Sequence, residues 1–264
     1  MPPQKRRVLD TPLSPSVLEE INVVTSFPTC GAFDPDGEWT HTYLVWTCHG
    51  YDAGGNFDAG YLTIRRWPTG DGGIMLDVTT EIALLDGLGA RTAARIQCRA
   101  DDLTTPESWM LDSTYTNQFG ANLPDQNARQ TAAIADGRLT VTIGDREHAT
   151  AVQPITTGDW CLFDAVQRLP RDGSARLSCD VLERMLALKR GQTIWYRSAR
   201  PVTVAGHELT GFSRTGYASL PTEYWVDQGG RLVLVVAYNM IYLLSDSAVD
   251  AFRRAIDRQR RKYA

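Results

Sequence analysis

The stretch from Pro221 to Leu244, PTEYWVDQGGRLVLVVAYNMIYLL, constrains the fold more than any other part of the chain. Tyr224, Val226, Leu232, Leu234 and Val236 place apolar side chains at period two, the repeat of a strand with one face on a core. Asp227-Gln228-Gly229-Gly230 interrupts them with a turn in which glycine takes positive φ at no steric cost. A second reversal at Tyr238-Asn239 returns Met240, Ile241, Tyr242 and Leu243 along the sheet. The stretch therefore predicts a β-meander, and a meander needs further strands to cover its apolar face.

Those strands are legible upstream. Trp39 to His49 alternates Trp39, His41, Tyr43, Val45, Thr47 and His49 on one face with Thr40, Thr42, Leu44, Trp46 and Cys48 on the other. Both faces carry large residues, so cover on both sides is expected. A glycine-rich turn, Tyr51 to Asn56, leads to a strand over Tyr61–Trp67, and further strands follow at Ile74–Leu84, Ala90–Arg99 and Glu107–Thr116. Asn117 to Asn127 is polar and irregular, suited to lie over an opening. Asp136-Gly137 then joins Gln130–Ala135 to Arg138–Ile143 with the strongest hairpin signal in the sequence. Later strands are expected at Gln192–Arg197, Pro201–Ala205 and Glu208–Phe212.

Helical periodicity interrupts this pattern twice in the middle and once at the end. Thr157 to Pro170 has apolar residues at helical spacing and stops at a proline. Ser178 to Arg190 reads as a helix with Ser178 as cap, a stripe of Val181, Leu182, Met185, Leu186 and Leu188, and Gly191 as stop. A third helix starts near Asp246 and aligns Val249, Phe252 and Ile256. SPSVLEEI at Ser14–Ile21 reads as a short helix behind a polar, basic tail. The fold class expected is mainly β: a strongly curved antiparallel sheet, an open barrel or clam, with two central helices and a C-terminal helix. Residues 1–13 form the tail and 14–264 a single β-rich domain.

Composition excludes several functions. Hydrophobic residues make up 43% and charged residues 22% of 264, which is ordinary for a globular chain. With a formal net charge of −4 there is no overall pull toward nucleic acid, although Lys5-Arg6-Arg7 and Arg253 to Lys262 are locally basic. No segment approaches the roughly 20 apolar residues of a membrane span. The start lacks an apolar signal stretch, so a cytoplasmic location is expected, or a periplasmic one had a signal peptide been removed. Five scattered cysteines without a CxxC pair, Cys30, Cys48, Cys98, Cys161 and Cys179, read as buried free thiols.

Four segments carry a resemblance: FDAVQRLP at Phe163–Pro170, DVLERMLALKRGQ at Asp180–Gln192, the strand pair around Val202–Leu209, and YWVDQGGRLV at Tyr224–Val233. On these the second half of the chain resembles a loose set of bacterial open-barrel or clam proteins of unknown function, distantly similar to the lipoprotein-carrier fold. The resemblance implies a bent sheet wrapped around helices and a concave face. It assigns no catalytic residue.

The residues with chemistry are few. His41 and His49 share a strand face and, as neutral imidazoles, suit proton transfer. They stand about 26 Å apart on an extended strand, too far to share a metal, so neither a metal nor another cofactor is expected. Asp112 shares a face with Met110 and Thr114, where desolvation would raise its pKa as a general base requires, and Tyr115 alternates onto the opposite face. Asp164 and Arg168, four apart, form an ordinary helical ion pair. Seven tryptophans offer more: Trp46, Trp109, Trp195 and Trp225 fall in strands, and indoles on a concave sheet stack flat apolar or sugar-like ligands. The leading expectation is a small-molecule-binding protein with a tryptophan-containing cavity. The second is a cofactor-independent lyase, hydrolase or isomerase using His41, His49, Asp112 and Tyr115. The third is a non-catalytic subunit that holds a protein partner or a second copy.

Overall fold

The structure is a computed structural model that describes residues 26–28, 31–48, 56–83, 88–174, 176–197, 201–237 and 240–261. The expected N-terminal tail, the Ser14–Ile21 helix, His49, most of the Tyr51–Asn56 turn and the Tyr238-Asn239 reversal lie outside these residues.

One sixteen-stranded sheet dominates. The first half contributes β1 (Trp39–Cys48), β2 (Asn56–Pro68), β3 (Gly73–Ala83), β4 (Gly89–Arg99), β5 (Pro106–Thr116), β6 (Ala128–Ala135), β7 (Arg138–Ile143) and β8 (Arg146–Ala151). The second half contributes β9 (Thr156–Gly158), β10 (Arg176–Glu183), β11 (Ala187–Tyr196), β12 (Val202–Val204), β13 (His207–Gly216), β14 (Ser219–Val226), β15 (Leu232–Ala237) and β16 (Met240–Leu244). The spatial order is β8-β7-β6-β5-β4-β3-β2-β1-β16-β15-β14-β13-β11-β10-β9, with β12 pairing β13 off this path. Two meanders thus run in opposite directions and join where the first strand meets the last, Tyr43 opposite Leu244 and Thr47 opposite Met240. The pairs are antiparallel except β9–β10, which is parallel.

The connectivity forces curvature. The two edges, β8 and β9, are consecutive in sequence and joined only by Val152–Ile155, which spans at most about 18 Å between Ala151 and Thr156. Fifteen strands side by side in a flat sheet would put their edges about 67 Å apart. The sheet must therefore roll until its edges nearly meet, although β8 and β9 do not pair. β8 keeps all six residues exposed and carries charge at Arg146 and Glu147, which discourages another strand from adding there.

The hydrophobic periodicity fixes the inner face. Tyr43, Val45, Leu62, Ile64, Ile74, Leu76, Val78, Ile96 and Cys98 point inward at alternate positions and are almost fully buried. Inside the roll lies α1 (Cys161–Arg168), buried from Cys161 to Gln167. A helix apolar or paired on every side belongs in a core rather than on a surface. Phe163 at its centre meets Tyr43, Tyr224 and Tyr242 edge to face, with centroids 5.2, 6.3 and 5.5 Å away. The Gln167 amide closes the helix onto the meander by accepting from Leu232 N at 2.9 Å. The second helix, α2 (Ala248–Arg260), covers the opposite face of the sheet, where Phe252 and Ile256 pack on Tyr61 and Ala83.

The turns follow their sequence signals. Asp136 and Gly137 take φ of 50° and 69°, the left-handed pair of a two-residue hairpin loop. Gly230 takes φ of 88° and returns its N–H to Asp227 O at 2.9 Å. Asn117–Asn127 contains only a bridge from Thr116 to Asn122 and a short 3-10 turn at Pro124–Gln126.

One expected central helix is absent. Ser178–Arg190 is the β10–β11 hairpin, so a single central helix remains, at Cys161–Arg168. β10 sits between β9 and β11, and Cys179, Asp180, Val181 and Leu182 are all buried. A strand covered on both faces loses its period-two signature and reads as readily as a helix. At the tip Arg184 and Met185 take φ of 52° and 55°, held from outside the hairpin. Gln130 Nε2 donates to Met185 O at 2.8 Å, and Arg184 N donates to the Asp159 carboxylate at 2.8 Å. Leu186, assigned to the apolar stripe, is half exposed.

Candidate functional site

The structure scatters the acid-base candidates. His41 is buried on β1, stacked on Trp39 with centroids 4.5 Å apart and 3.4 Å from the Tyr43 hydroxyl through Nδ1. Burial, aided by the Arg231 charge, holds its pKa down to about 3, so the imidazole is neutral and a poor base at neutral pH. Tyr43 donates to Leu232 O at 3.1 Å, and burial pushes its hydroxyl up. Asp112 faces outward, partly exposed, 3.5 Å from Arg129 Nε. Tyr115 lies on the other face of β5, half-exposed. Asp112 and Tyr115 thus occupy opposite faces of β5, and His41 lies four strands away on β1.

The tryptophans are placed just as plainly. Trp46, Trp109 and Trp225 are buried among core side chains, while Trp195 is half-buried on β11. Trp225 carries the Arg197 guanidinium over its ring at 5.4 Å, and Arg197 Nη1 binds Glu223 Oε2 at 2.8 Å. The inner space that an indole-lined cavity would need beside α1 holds Phe163 and its three tyrosines.

Two polar clusters lie within the roll. In the first, Asp164 on α1 is fully buried between two arginines. Arg168 Nη2 donates to Oδ2 at 3.0 Å and Thr104 Oγ1 donates to it at 2.6 Å. Arg66 from β2 stands 3.1 Å away through Nε, a distance of an ion pair at an angle short of a hydrogen bond, while its Nη1 donates to the carbonyls of Asp36 and Gly37. In the second cluster, buried Arg214 donates through Nη2 to Glu183 Oε1 at 3.0 Å and Thr222 Oγ1 at 3.3 Å, and its Nε and Nη1 have no partner among the described residues. Beside it burial pushes Asp159 up to about 6, opposed by the Arg184 and Trp160 N–H groups, and pushes Cys179 and Tyr242 up to about 12. Asp164 and Arg214 are enclosed in the sheet, whereas Glu183 is about a third exposed at its rim.

An open recess lies at the seam where the two sheet edges approach. It has a volume of about 390 Å³ and is lined by Gln153, Pro154 and Ile155 from the edge linker and by residues 178–180 and 190–191 of β10 and β11. Asp180 is its fixed point. The carboxylate, 1% exposed, accepts Gly191 N at 3.0 Å and Gln153 N at 3.4 Å and stands 3.5 Å from Arg190 Nη1. Arg190 is half exposed and bridges the seam by donating from Nη2 to Ala151 O at 2.8 Å. Ile155 is 49% exposed at the recess, a large apolar side chain beside a guanidinium with donors to spare. Such a site can hold a molecule with an apolar body and an acceptor group. Sequence reasoning missed it because its two walls are far apart in the chain. The only local signal was Pro154-Ile155, an apolar pair after the polar run GDREHAT. Among the described residues no three His, Cys, Asp or Glu side chains gather as a metal would require, and no helix is long and apolar enough to cross a membrane.

A scan of protein-family models gives no match, and a search of curated proteins gives none. Among solved structures, the chain is similar to a β-barrel-like protein of the domain of unknown function DUF1849 from Brucella abortus. The TM-score is 0.53 at 8% identity over 80% of this chain and 96% of that one. At that identity the likeness shows the fold alone. A DUF1089 family protein from Pseudomonas aeruginosa matches with 13% identity over 79% of this chain and 94% of that one, at a TM-score of 0.32, too low to bear on the fold.

Proposed function

We propose that the protein binds a small amphipathic molecule, without catalysing its reaction, in the recess at the sheet seam. The observation that carries this reading is the exposed Ile155 side chain beside Arg190 in a recess of about 390 Å³, a size suited to a small ligand. The apolar body rests on Ile155 and Pro154, and a carboxylate or carbonyl oxygen takes the free guanidinium donors of Arg190. Asp180 holds the arginine in place. Catalysis finds less support, because His41 is held neutral, Asp112 faces away and Tyr115 stands apart from both.

Native mass spectrometry of freshly purified protein, set against its denatured mass, tests the reading. An extra mass that leaves on denaturation, and that Ile155→Asp and Arg190→Gln each lose while retaining the wild-type circular dichroism, is the expected result. A bare wild-type mass, or an adduct kept by the double variant, refutes it.

A further inference from the structure

Cys98 and Cys161 stand apart from the other ionisable groups because each is the other's neighbour. Cys98 points inward from β4 and Cys161 opens α1, and both are wholly buried with free thiols. Their Sγ atoms are 3.9 Å apart, although 63 residues separate them in the chain. A disulfide needs about 2.05 Å, so the two side chains together must close less than 2 Å. The Cys161 thiol is closely packed on its other side, where a Cβ at Gly158 would lie 3.2 Å from Cys161 Sγ and 2.5 Å from Met185 Sδ.

We propose that Cys98 and Cys161 are a latent cystine that, once oxidised, fastens the central helix to the sheet. The closed fold protects both thiols from reagents, and burial pushes the Cys98 thiol well above its ordinary value, which leaves little thiolate to react. The bond therefore forms while the chain folds, before α1 docks. With a low-molecular-weight disulfide as oxidant, one cysteine thiolate attacks a sulfur of the reagent, forms a mixed disulfide and releases one thiol. The second thiolate attacks the protein sulfur of that mixed disulfide, closes the cystine and releases the second thiol. Two protein thiols are oxidised and one reagent disulfide is reduced. The tie restrains a loop of 63 residues in the unfolded chain, and a loop of that length raises Tm by roughly 5 to 15 °C in a protein of this size.

The test is refolding of the reduced, denatured protein in a buffer containing oxidised glutathione, followed by alkylation and non-reducing peptide mass spectrometry. The expected map has a Cys98–Cys161 cross-link as its main disulfide, with Tm raised by the stated amount over protein refolded under reduction. Cys179→Ser keeps both results, and Cys98→Ser and Cys161→Ser lose both. Pairing of either residue with another cysteine, glutathione adducts in place of the cross-link, or a cross-link with no rise in Tm overturns the proposal. The wild-type map decides the matter by itself where a variant fails to refold.

Discussion

Removing the Asp164 carboxylate should be among the most damaging single changes this protein can suffer at a polar position. The side chain is fully buried, and it answers Arg66, 3% exposed, and Arg168, 13% exposed. In Asp164→Ala the Arg66 guanidinium keeps the carbonyls of Asp36 and Gly37 but loses its only buried counter-charge among the described residues, and Thr104 loses its acceptor. Breaking a buried pair from one side costs about 3–5 kcal/mol, because the remaining charge must be held out of water. A domain with 5–15 kcal/mol in total survives that loss with Tm lowered by roughly 10 °C. The double change Arg66→Met with Asp164→Leu removes both charges and refills the space, and should recover at least half of the loss. Urea unfolding at pH 7, followed by circular dichroism for the wild type, Arg66→Met, Asp164→Leu and the double, gives the coupling directly, with Asp164→Ala measured beside them. A loss below about 1 kcal/mol for Asp164→Ala, or additive effects in the cycle, would refute the claim that this network holds α1 in the sheet.

Two further predictions concern pH. His41 is held near 3 when folded against 6.5 when unfolded, so its contribution is complete above pH 6.5 and is lost as pH falls toward 3. The full loss is about 5 kcal/mol, and in His41→Gln the corresponding part of the stability-against-pH curve should flatten; an unchanged acid limb would contradict the neutral, buried imidazole. Asp159 behaves in the opposite sense. Its folded pKa of about 6 lies above the ordinary 3.8, so its contribution is present below 3.8 and is lost as pH rises through 6, about 3 kcal/mol in all. Asp159→Asn should therefore stabilise the protein at pH 7 relative to pH 4, and urea melts showing equal effects at the two pH values would sink the assignment.

What the sequence disclosed was whatever local chemistry enforces. The Asp136-Gly137 hairpin, the Asp227–Gly230 turn and the alternating faces of β1 appear where they were expected, because left-handed turn residues and period-two burial are properties of a few adjacent residues. Residues 178–190 defeated the same reasoning. Their apolar stripe fits a helix and a doubly covered strand equally, and the choice was made by β9 on one side and β11 on the other. The ion pair of Asp164 with Arg168 was legible at four residues' spacing, whereas Arg66 was not, since nothing near residue 66 announces a carboxylate nearly a hundred residues away. The tryptophans were read by type. Their burial depended on the sheet rolling around a helix, which individual strands do not reveal.

The same roll separates where charge is spent on structure from where it remains for recognition. Inside, Asp164 is committed to Arg66, Arg168 and Thr104, so a substrate there would have to displace existing partners. At the seam the situation reverses. Among the described residues the two sheet edges have no further strand to pair with, and the linker between them must cross the gap, bringing Ile155 to the surface through chain connectivity rather than packing. Arg190 spans that gap with one nitrogen on Ala151 O and another near Asp180, anchored yet still exposed. An arginine fixed by its own protein loses little freedom when a ligand arrives, which favours binding. The unclosed sheet therefore provides, at its seam, a recess whose groups are positioned but not used up, and that is the physical ground for placing recognition there.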